Sequence, residues 1–141
     1  MNNAMDSTYL AVGAAVVAVL LALIGWLLTH NQRGKQLNKE YYESKWQDMQ
    51  KLLKDSATWP LAVIEADKLL DHALKARRFK GKNTGERLVA AQHDIQANDD
   101  VWFGHKLRNK LVHESSVKLT ERHVKDALMG IKRALKDLGA L

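Results

Sequence analysis

Along the chain a long apolar run gives way to stripes of apolar residues at helical spacing. Residues 9–29, Y-L-A-V-G-A-A-V-V-A-V-L-L-A-L-I-G-W-L-L-T, carry no charge, and about twenty such residues suffice to cross a ~30 Å hydrocarbon core. This predicts a transmembrane helix, with Tyr9 and Trp26 near the interfaces that amphipathic aromatics prefer. A cleaved signal peptide would want a basic start, a shorter apolar core and small residues at a cleavage site, and the run has none of the three. Residues 1–8 hold no Lys or Arg, whereas Arg33, Lys35, Lys39 and Lys45 follow the run. The positive-inside rule then puts 1–8 outside and the rest in the cytoplasm, as a single-pass protein of the cell membrane.

Beyond the run every apolar stripe has the helical period. In 30–56, a basic juxtamembrane segment, Leu37, Tyr41, Tyr42, Trp46, Met49, Leu52 and Leu53 predict an amphipathic helix to about residue 54. It is read as the first helix of a bundle, or else as a dimer-forming or membrane-lying helix. Ser56 or Thr58 caps the next helix, with Pro60 in its first turn, where a missing N–H does no harm. Its core stripe is Leu61, Ile64, Leu69, Ala73 and Ala76, with Glu65, Asp67, Asp71 and His72 around it. Asn83 or Thr84 caps a helix over 86–96 that buries Leu88, Val89, Ala91 and Ile95, and residues 98–100 cap a helix over 101–113. Thr120 opens the last helix, with Leu119 stapled to Val124. Val124, Leu128, Ile131, Leu135 and Leu138 then recur at steps of four and three until Gly139 stops it. No segment alternates like a strand. The fold class is all-α: a transmembrane helix over 9–29, then a cytoplasmic bundle of four to five helices whose main domain is 57–141.

Composition narrows the chemistry. The net charge of +6 suits a polyanion such as RNA, or the anionic face of a bilayer. Lys75, Arg77, Arg78 and Lys80 cluster where they complement a helix dipole or follow an RNA backbone. With no cysteine there are no disulfides and no thiolate metal sites. His105 and His113 lie two turns apart with no carboxylate at metal-site spacing, so neither a metal nor another cofactor is expected. Residues 79–85 are rich in Gly, Asn and Lys, but they lack P-loop spacing and follow no strand.

The helix over 101–113, V-W-F-G-H-K-L-R-N-K-L-V-H, carries the chemistry. With His105 at zero and roughly 100° per residue, Val101, Gly104, Leu107, Leu111 and Val112 share one side, and Lys106, Asn109, Lys110 and His113 the other. Arg108 falls among the apolar residues, where an unpaired guanidinium would be costly. A carboxylate on the helix that Pro60 opens is the candidate partner, and of Glu65, Asp67 and Asp71 the one nearest the apolar stripe is Glu65. Arg108 and His113 lie about 7.5 Å apart along the axis. An arginine fork for a phosphate, a histidine that holds a proton near neutral pH and an asparagine between them suffice to cut RNA without a metal.

The segment R-N-K-L-V-H, 108–113, resembles the R-x4-6-H signature of the HEPN superfamily, with its polar residue directly after the arginine. The resemblance covers roughly 59–138 and implies a small all-α domain. Many members are metal-independent endoribonucleases and toxins that work as homodimers, with both motifs lining one cleft. It implies that Arg108 binds the scissile phosphate, His113 acts as acid or base, and Asn109 supports both. Many toxin members carry a tyrosine two residues after the histidine; here the residue is Ser115. Trp102, His105, Lys106 and Lys110 are the expected RNA contacts beside the motif. The partners expected are the membrane, RNA and a second copy, and for a toxin also an antitoxin or regulatory protein. The alternative is a catalytically inactive, membrane-tethered module for interaction or for nucleotide or RNA binding, in which Arg108 is retained as packing.

Overall fold

The computed structural model describes residues 2–30 and 36–141. Every regular element among them is helical: α1 (Asn2–His30), α2 (Lys39–Lys51), α3 (Trp59–Ala76), α4 (Thr84–Ala90), α5 (Asn98–His113) and α6 (Glu121–Asp137), with two 3₁₀ turns, Leu52–Lys54 and Ser56–Thr58. The chain divides into two compact units, Met1–Gly34 and Lys35–Leu141.

In the first unit α1 is a 29-residue helix. Its described side chains, residue 9 and residues 11–26, are all exposed. Among the described residues no helix is long and apolar enough to cross a membrane. Residues 11–26 rise about 24 Å, short of a ~30 Å hydrocarbon core. The expected span over 9–29 is carried by the sequence alone.

The second unit is built on α3, which packs against α2, α4, α5 and α6. Ala62, Val63, Ala66, Leu69, Leu70, Ala73 and Leu74 are buried on it, a wider face than the expected stripe, whereas Leu61 is exposed. A helix with neighbours on several sides cannot keep a narrow stripe. Leu37, Tyr42, Trp46 and Met49 join this core, so α2 is the first helix of the bundle. The α3 N-terminus departs from the expected cap: the Thr58 hydroxyl donates to the Leu52 and Asp55 carbonyls instead of accepting, and Asp55 caps the preceding turn through Ala57 N–H.

Asn83 accepts from Glu86 N–H at the start of α4, and Thr120 from His123 N–H at the start of α6. The helix expected over 86–96 ends at Ala90; Ile95 still reaches the core by a turn in which its N–H donates to Ala91 O. Gly139, at φ +77, ends α6 as expected. Helices α5 and α6 approach closely at two glycines. A Cβ on Gly130 would lie 2.2 Å from the Asp100 carbonyl oxygen, and one on Gly104 would lie 2.9 Å from that of Ala127.

Candidate functional site

Helix α5 is held at its start by Asn98, whose amide donates to the Gln92 and Ile95 carbonyls, and by an Asp100–Arg133 pair at 2.6 Å. The glycine contact with α6 fixes which side of α5 turns inward. Val101, Gly104, His105 and Leu107 are buried there, with Trp102, Arg108, Asn109 and Leu111 half-buried. Val112, expected on the apolar side, is exposed.

The carboxylate that meets this face is Asp67 of α3, only 1% exposed. His105 Nδ1 lies 2.9 Å from its Oδ1, and Arg108 Nε lies 3.5 Å from its Oδ2. The second contact is ionic, since Nε has no hydrogen-bond partner. His105 Nε2 is 3.2 Å from Asn109 Nδ2, and Arg108 NH1 donates to Asn109 Oδ1 at 2.9 Å. Asp67, His105, Asn109 and Arg108 thus close a ring. Glu65, the expected partner of Arg108, pairs instead with Lys68 at 2.7 Å. At about 100° per residue the two carboxylates project some 160° apart, so only one of them can meet α5.

The ring leaves part of Arg108 free. A guanidinium offers five N–H donors, and one bond and one ionic contact leave the others available on a side chain that is 28% exposed. His113, in the last turn of α5, is exposed and its side chain makes no hydrogen bond among the described residues. Lys106 and Lys110 are exposed on the same helix. His105 does not serve as the RNA contact expected of it: it is 7% exposed and both ring nitrogens are engaged. Trp102 lies edge-on to the His105 ring, 5.7 Å between centroids, and is half-buried. Among the described residues no group of His, Cys, Asp and Glu is arranged to hold a metal.

A second charged cluster, which the sequence did not suggest, sits one turn further along α3. Asp71 accepts from Arg87 Nε at 2.8 Å, from Lys75 at 2.6 Å and from the Thr84 hydroxyl at 3.0 Å. Arg87 also donates through NH1 to the Gly81 carbonyl at 2.5 Å. Burial pushes the Asp71 carboxyl up, but the bonds from Lys75, Arg87 and Thr84 and the Arg87 charge outweigh it and hold the group below its ordinary value. Lys75, read as part of a basic strip, is thereby committed to α3 itself.

A cavity of about 320 Å³ opens between α2 and α6, walled by Trp46, Trp59 and Leu128 with Lys125 and Lys132 among its lining residues. None of the ring residues lines it. No family model, curated protein or solved structure matches the chain.

Proposed function

We propose that this chain is a membrane-anchored HEPN-like domain that cuts RNA without a metal, Arg108 neutralising the scissile phosphate and His113 moving the proton. One observation carries the reading: Arg108 is fixed on Asp67 and Asn109 yet keeps unspent donors on a partly exposed side chain, on the same helix as an exposed, unbonded His113. Asn109 is the residue that orients the guanidinium. A positioned acid or base is worth about 10² to 10⁴ in rate, and a preset arginine stabilises the charge that develops on the phosphate oxygens. A second copy would bring another Arg108 and His113 to the same cleft, and Lys106 and Lys110 would meet the RNA backbone.

The anchor reading rests on α1 and on charge. A helix apolar all round must be covered by protein or lipid, and in sequence the uncharged run extends beyond the exposed residues 11–26 to 9–29, with basic residues only after it. The domain would then face the cytoplasm.

The second reading, a non-catalytic tethered module, is favoured by the ionic contact between Arg108 and buried Asp67. The two part in one assay: the full chain in detergent micelles, incubated in EDTA with mixed RNAs and with the same sequences as DNA or 2′-O-methyl RNA. Cleavage of RNA alone supports the nuclease, because only RNA has the free 2′-hydroxyl. Intact RNA from a folded protein refutes it.

A further inference from the structure

The ring of Asp67, His105, Asn109 and Arg108 closes only in one protonation state. An arginine donates and never accepts, so the Asn109 atom facing it at 2.9 Å is the amide oxygen. The Asn109 NH₂ is therefore turned to His105, 3.2 Å from Nε2, and that nitrogen must carry a bare lone pair. The imidazole proton then sits on Nδ1 and is donated to Asp67 Oδ1 at 2.9 Å. Every polar contact of this buried histidine is satisfied by the neutral form.

A second proton on Nε2 would face the Asn109 NH₂ donor to donor. Turning the Asn109 amide over would repair that contact and set its NH₂ against the Arg108 guanidinium. Either way one link of the ring opens, and the half-buried donors it leaves facing each other lose a hydrogen bond. Asp67 faces His105 from α3, and Arg108 of its own helix stands on the far side of that carboxylate. From α4 it meets Gly85, where an added Cβ would lie 3.5 Å from Nε2, and from α6 Ala127 and Ile131 touch the adjacent Gly104; none of these carries a charge.

We propose that His105 is a positioning residue for Arg108: in its neutral Nδ1–H form it orients Asn109, which with Asp67 fixes the guanidinium, and its protonation opens the ring and loosens Arg108, leaving it the Asp67 contact. The ring itself stands on geometry; the consequence for cleavage rests on the nuclease reading above. Arg108 would then present its free N–H groups to a phosphate only while His105 is neutral, so activity would have an acid limb set by a residue that never touches RNA.

The test is long-range ¹H–¹⁵N NMR of the full chain in detergent micelles, with His and Arg labelled, followed through pH. The expected result is a His105 with its proton on Nδ1, and Arg108 side-chain signals that change with the same midpoint as His105. In Asn109→Asp a carboxylate accepts from both neighbours, so Arg108 stays held when His105 is charged and its signals no longer follow that titration. A proton on Nε2, Arg108 signals indifferent to His105, or coupling that persists in Asn109→Asp overturns the proposal. If acid unfolds the protein first, His105→Gln and His105→Phe decide. Gln can donate to Asp67 and accept from Asn109, and must keep the slow exchange of the Arg108 N–H groups that Phe loses; equal exchange in the two variants overturns the proposal. Cleavage followed against pH separates the two ideas. Absence of cleavage with the coupling intact removes only the nuclease, whereas an acid limb unchanged in His105→Gln removes the positioning role.

Discussion

Two aspartates one turn apart on α3 each meet an arginine from another helix, and the two pairs differ in what they leave over. Arg87 is enclosed: its side chain is 9% exposed, Nε is bonded to Asp71 and NH1 to the Gly81 carbonyl, and Lys75 and Thr84 complete the carboxylate. Arg108 is 28% exposed, touches Asp67 only by an ionic contact and makes a single hydrogen bond, to Asn109. The first arrangement encloses the guanidinium while tying α4 and the preceding loop to α3. The second steadies a guanidinium while leaving donors for something else. A buried ion pair is weak evidence for stability by itself; whether the remaining donors reach solvent, at 28% exposure against 9%, is what separates a binding group from a clamp.

The comparison breaks first on activity. His113→Ala should lower the rate of RNA cleavage by about 10² to 10⁴ and leave the unfolding free energy within about 0.5 kcal/mol of the parent, because an exposed, unbonded side chain contributes little to folding. A large stability loss would mean that His113 has a structural task. Next comes Arg87→Ala, which removes the buried cationic partner of Asp71; breaking such a pair should cost about 3 kcal/mol in denaturant unfolding, with cleavage per folded molecule unchanged. Arg108→Ala gives up one hydrogen bond and the 3.5 Å ionic contact with Asp67, which keeps its bond from His105, and should cost less, about 2 kcal/mol.

Acid sharpens the contrast. Asp71 is held below its ordinary value of 3.8, so its pairing contributes stability above that pH and loses it as the pH falls through the lower folded value. The parent should therefore lose stability steeply below about pH 4, and Asp71→Asn, less stable throughout, should lose less of it over the same range. The smallest effect is expected at Arg78, a non-glycine residue at φ +63 just beyond α3, where Phe79 N–H donates to the Leu74 carbonyl. Arg78→Gly should raise stability by about 0.5 to 1 kcal/mol, since glycine adopts that conformation without strain.

Much of this was legible in the chain because it is local. The steps of four and three in α6, the caps at Asn83 and Thr120 and the stop at Gly139 depend on neighbours in sequence. Arg108 stood out as a charge on an apolar face, and a carboxylate on α3 was the candidate partner. Which carboxylate depended on how far α3 is rotated, which the single-stripe reading through Leu61 misjudged. His105 sat at the edge of the helical wheel and looked like surface; only the arrival of Asp67 from another helix makes it core. The Asp71–Arg87 pair joins residues sixteen apart across an irregular loop, and no periodicity reports such a contact.

The central claim is that Arg108 is a binding group held by structure and not a structural group that happens to be charged. Arg108→Ala and Arg87→Ala, prepared as full chains and measured side by side for RNA cleavage in EDTA and for unfolding by denaturant, test it most directly. The account predicts that Arg108→Ala stays folded and loses cleavage, whereas Arg87→Ala is the less stable protein and cuts normally once folded. A parent that cuts no RNA, together with an Arg108→Ala variant destabilised as much as Arg87→Ala, would contradict it and leave two clamps of the same kind.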